Sequence, residues 1–136
     1  MTQNEFVLSA QGKPWVNRAS SFDGMDCYGL VMLYYKEVLG IDLPEPEGYS
    51  ELDDISLCWE KETSSGRWEP SDRPTRNAIV FTAYRGNTPL HVGVMLDHKR
   101  AIHCRGDCSI KGKVEIHSIR AIESIYGKVS FHRYIG

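Results

Sequence analysis

A chain of 136 residues is the length of one domain, long enough to bury about two thirds of its unfolded surface without disulfide staples. Apolar residues make up 41% and charged residues 25%, which excludes the collagen-like, disordered and disulfide-scaffold classes. With 16 Lys and Arg against 18 Asp and Glu the net charge is −2, which argues against nucleic-acid binding through bulk positive charge.

The N-terminus MTQNEFVLSA lacks a basic-then-apolar pattern, so no signal peptide is expected. No apolar run approaches the roughly 18 residues of a membrane span, so no membrane insertion is expected. There is no repeat and no long linker, and residues 1–136 read as a single domain. Charge is uneven. Five acids and no base fall between Glu45 and Asp54, and from Lys99 onward eight bases face three acids. The plain reading is an acidic solvated loop and a basic sheet edge; a sharper one is a dipolar surface that orients an anionic polymer.

The strongest helix is Cys27–Leu39. Asp26 caps it, Leu30, Val31, Tyr34 and Val38 supply an apolar stripe, and Gly40 stops it. Leu43-Pro44 then forces extended chain. Glu51–Glu62 reads as a weaker helix, ended by Thr63-Ser64-Ser65-Gly66. The period then changes. Ala78–Tyr84, His91–Asp97, Arg100–Cys104, Lys113–Ser118 and Val129–Ile135 read as strands, with a hairpin turn at Asp97-His98-Lys99. Ile119–Tyr126 reads as a short helix closed by Gly127. Helices first and a largely antiparallel sheet after them make an α+β layout.

The chemistry concentrates around Cys27, at the first turn of the best helix. Unpaired N–H groups and the positive end of the dipole there favour a thiolate, and Asp26 opposes this slightly. Gly29 leaves room close to the sulfur. His91 opens an apolar strand, rigidly aimed as a base must be, and Gly93 signals close approach of another backbone or a ligand. His103 follows twelve residues later on the returning strand, where it can orient the His91 ring. A plain structural reading also exists: a core cysteine and solvent-bonded sheet histidines. His98 is expected to be exposed in the turn, and His117 and His132 to be sheet histidines without a site role.

These segments together resemble the NlpC-type family of papain-like cysteine peptidases. The resemblance lies in Gly12-Lys13-Pro14-Trp15, Asp26-Cys27-Tyr28-Gly29-Leu30, His91-Val92-Gly93-Val94 and Ile102-His103, in that order. It implies a papain-like α+β fold, with the nucleophile at a helix start packed on a five- to six-stranded sheet. It implies Cys27 as nucleophile, His91 as base and then acid, and His103 as the residue orienting His91. The substrate it implies is the peptide stem of peptidoglycan, commonly the bond between D-glutamate and a diamino acid, with no cofactor and no metal. Tyr28 and the run Leu39-Gly40-Ile41-Asp42-Leu43-Pro44 look most like members associated with bacteriophage tails. That implies action on the host wall, with other tail proteins as partners and no need of a signal peptide.

Two departures from the family pattern stand out. Trp15 occupies the place of a tyrosine whose hydroxyl helps bind the oxyanion, and its indole N–H is a candidate replacement donor. Tyr28 replaces the usual serine after the nucleophile. Trp15, Asp26, Tyr28 and Gly29 are therefore the candidate oxyanion and substrate-binding residues. The segment Tyr84–Leu90 reads as a loop shaping access. Rival readings are a zinc site at His98, His103, Cys104 and Cys108, a Cys104–Cys108 disulfide, an inactive wall-binding tail module, and a related thiol amidase or acyltransferase. Cys58 is expected to be a free thiol.

Overall fold

The computed structural model describes residues 1–45, 55–72, 79–106 and 112–136. Helix α1, Gln3–Ala10, starts with a capping box: Thr2 accepts from Glu5 N–H and the Glu5 carboxylate accepts from Thr2 N–H. It buries Phe6 and Ala10. A two-residue ladder, β1 (Ser20–Ser21) and β2 (Gly24–Met25), leads into α2, Cys27–Tyr34. The chain then continues as a π-helical turn, Tyr35–Leu39, and stops at Gly40, whose φ of 68° only glycine adopts freely. The predicted single helix is thus present but changes pitch over its last five residues. Tyr34 and Tyr35 are both buried there, Tyr34 edge-on to Phe6 and Tyr35 against Trp68 and Tyr134.

Helix α3 runs Ile55–Thr63; the start of the predicted Glu51–Glu62 helix and most of the acidic run lie outside the described residues. Strands β3 (Trp68–Ser71), β4 (Val80–Arg85), β5 (Thr88–Met95), β6 (Arg100–Arg105), β7 (Lys113–Ser118) and β8 (Lys128–Tyr134) form one antiparallel sheet, ordered β3-β8-β4-β5-β6-β7. Helix α4, Ile119–Tyr126, has its predicted bounds; Ser118 caps it and Gly127 closes it. β3 is unexpected. Pro70 disfavours a strand in the sequence, yet a proline is tolerated at an edge, where β3 lies. The predicted access loop Tyr84–Leu90 is instead the tight β4–β5 hairpin, turning at Gly86 with φ 62°.

Period-two alternation splits the sheet between two cores. Val80, Val92, Val94, Ile102, Cys104 and Val114 pack toward α1, α2 and α3. Phe81, Ala83, Met95 and Ala101 pack on the other face with Ile122 of α4. This is an α+β fold with helices at the N-terminal end and a mainly antiparallel sheet, as the sequence predicts.

Candidate active site

Asp26 sets the start of α2. Its carboxylate accepts Gly29 N–H at 2.7 Å and Arg18 N–H at 2.8 Å, and it is 3% exposed. The chain before it crosses so closely that a Cβ on Gly29 would stand 1.8 Å from Ala19 O. Asp26 and Gly29 therefore act by fixing where Cys27 sits. β5 and β6 pair at Val94–Ile102 and Met95–Ala101, and α2 packs against both strands. Cys104 Sγ donates to Met25 O at 3.1 Å, and the Cys27 sulfur receives the N–H groups of Val92 and Tyr28. The sulfur thus lies beside the backbone that carries His91.

His91 enters through a β-bulge. Ala83 pairs with His91 and Tyr84 with Pro89, so Leu90 is the extra residue, and such bulges re-aim the side chain next to them. Gly93 answers a steric need: a Cβ there would meet Phe81 Cε1 at 2.4 Å and His103 Cβ at 2.8 Å. The space it leaves lets His91 Nε2 and His103 Nδ1 stand 2.8 Å apart. His91 Nδ1 is the nitrogen left for other chemistry.

The electrostatics differ from the expectation at the helix start. Burial, and then the Asp26 carboxylate, push the Cys27 thiol up to about 12, against the N–H groups of Val92 and Tyr28. Burial also holds His91 well below its usual value, helped by His103 and Arg105. The resting pair is therefore a neutral thiol and a neutral imidazole, because desolvating both charges outweighs the helix dipole. His103, fully buried, is lowered to about 3 by burial and by His117.

These shifts have a consequence for stability. Both imidazoles are depressed in the folded state, so their contribution is complete above about pH 6.5 and is lost as pH falls toward the folded values. With His103 at about 3, its protonation in the unfolded chain costs about 2 to 3 kcal/mol by about pH 4.5. Urea denaturation across this range is expected to show that decline, and a His103→Asn variant a shallower one.

Other candidate residues resolve as follows. Tyr28, a candidate substrate-binding residue in the sequence, is fully buried against Trp59 with ring centroids 5.6 Å apart, so its side chain is a core group. Trp15 is half-buried on the segment bridging to Met25; its backbone N–H donates to Gly112 O, and its side chain packs against Gly106. His103 and Cys104 face opposite sides of β6, which opposes the zinc reading, and Cys104 is a buried free thiol. Cys108 and the side chain of Cys58 lie outside the described part of the structure. Among the described residues no group of three or more His, Cys, Asp or Glu is placed to hold a metal.

Sequence reasoning missed three neighbours. His117 was expected to be a bystander, but its Nδ1 lies 2.8 Å from His103 Nε2. The Tyr126 ring stacks on His91 at 5.5 Å and 14°, and its hydroxyl bonds to Arg105. Strand parity is the signal that finds His117: Ala101 pairs with His117, so His103 and His117 share a face.

The NlpC/P60 family model matches residues 12–135 of this chain. The chain belongs to the NlpC/P60 family. A solved structure with the same fold is the crystal structure of the NlpC/p60 domain of the peptidoglycan hydrolase SagA. It aligns at a TM-score of 0.61 and 19% identity, over 97% of this chain and 95% of that one. No curated protein sequence matches the chain.

Proposed function

We propose that this NlpC/P60 domain is a cysteine peptidase that hydrolyses an amide bond in the stem peptide of peptidoglycan, favouring the bond between D-glutamate and a diamino acid. The observation that carries this reading is the buried 2.8 Å contact between His91 Nε2 and His103 Nδ1, which leaves His91 Nδ1 for the thiol of Cys27 on the adjoining helix start. As the sulfur attacks the carbonyl carbon, its proton passes to His91 Nδ1. The imidazolium so formed is held through Nε2 by His103. The proposed oxyanion donors are the Cys27 N–H and the Trp15 indole N–H. His91 then protonates the leaving amine, and water, deprotonated by His91, releases the acyl group from the sulfur. Because thiol and imidazole both rest neutral, proton transfer accompanies attack.

We place the domain with a bacteriophage tail, acting on the wall of the host, on the strength of Tyr28 and the run from Leu39 to Pro44. Digestion of purified peptidoglycan, with mass spectrometry of the soluble products, tests the function. A new free amine on the diamino acid is the expected result. A new free amine at the start of the stem peptide, with a lactyl carboxylate left on the sugar, would instead make the protein an amidase. Retained binding to sacculi with no soluble product would make it an inactive wall-binding module.

A further inference from the structure

The row of imidazoles ends in a residue that the proposed reaction does not use. His91 Nε2 is 2.8 Å from His103 Nδ1, and His103 Nε2 is 2.8 Å from His117 Nδ1. Each of these bonds needs one proton, and each neutral ring carries one. Only two neutral arrangements satisfy both bonds. In the first, all three rings are protonated at Nε2, and His91 Nδ1 is a bare lone pair. In the second, all three are protonated at Nδ1, and His91 presents an N–H to the sulfur. Only the first can take a proton from Cys27.

The outer end of the row decides between them. His103 is fully buried, whereas the His117 side chain is 34% exposed, with Nε2 4.0 Å from Glu115 Oε2. A carboxylate accepts an N–H and offers nothing to a lone pair, so Glu115 favours protonation of His117 at Nε2. The charged neighbours farther along this end of the sheet are Lys113 on β7 and Arg105, paired with it on β6. Both are donors, so neither competes with Glu115 for the His117 proton.

We propose that His117, biased by the nearby Glu115 carboxylate, is a positioning residue that fixes the proton direction of the row and keeps His91 Nδ1 free to accept the Cys27 proton. The proposal rests on the cysteine-peptidase reading above. Its test joins imidazole 15N–1H spectra of the labelled protein with turnover of a soluble muropeptide. The native protein is expected to carry its His91 proton on Nε2. His117→Ala is expected to move part of the His91 population to the Nδ1–H form and to lower kcat on the order of tenfold, with KM unchanged. His117→Gln, whose side-chain oxygen can accept from His103 Nε2, is expected to restore most of the rate, and Glu115→Gln to fall between. A native His91 protonated at Nδ1, or a His117→Ala protein with an unchanged His91 tautomer, overturns the proposal. If the native protein turns over no muropeptide, the peptidase reading fails, while the tautomer spectra still decide the direction of the row.

Discussion

Cys27→Ala is expected to release no amine from peptidoglycan above background, a fall of at least about three orders of magnitude, while folding as the native chain does. The loss follows because the sulfur is the only atom proposed to bond to the substrate. Retention of the fold follows from the packing. Cys27 is 7% exposed, and its removal deletes one atom from a helix start already fixed by Asp26 and Gly29. Alanine is also the better helix former. Thermal unfolding is expected to shift by no more than about 1 kcal/mol equivalent. His91→Ala belongs to the same class. His103→Ala costs less, since it leaves the base in place and removes only what orients it.

Gly29→Ala is expected to damage the fold itself, by at least about 3 kcal/mol in urea denaturation. Helix propensity alone predicts the opposite sign, a gain of about 1 kcal/mol. Sterics win because the added Cβ would stand 1.8 Å from Ala19 O and 3.0 Å from Asp26 Oδ1. The first of these is backbone, and Ala19 O also accepts Asp26 N–H, so it cannot give way cheaply. Moving it disturbs the Asp26 cap and with it the Cys27 sulfur. The variant therefore loses activity together with stability, unlike Cys27→Ala, which loses activity alone. An unchanged midpoint would mean that this segment is looser than its contacts imply.

Strong local signals made much of this fold legible. Asp26 before an apolar stripe marked α2, and Lys113–Ser118 and Ile119–Tyr126 have their predicted bounds because patterning, cap and glycine stop agree there. The shorter elements failed for physical reasons. β1 and β2 have two residues each, too few to show a period. β3 contains Pro70 and exists because it is an edge strand. Helix α1 was legible and missed: Thr2 and Glu5 spell out its capping box.

For the candidate site, residue order along the chain singled out Cys27, His91 and His103, but two things depended on register and burial. One was the extension to His117, which needs the pairing of Ala101 with His117. The other was the charge state. The helix start argued for a thiolate, yet burial raises the Cys27 thiol and lowers the His91 imidazole, and a linear pattern does not carry that balance.

The role of Cys27 is most directly tested in the native chain by reversible thiol capping. The protein is treated with a small methanethiosulfonate, the capped cysteine is mapped by mass spectrometry, and muropeptide turnover is measured before and after reduction. Turnover is expected to fall in proportion to capping of Cys27 and to return when a reductant removes the cap. Full capping of Cys27 with undiminished turnover would show that its sulfur takes no part in the reaction.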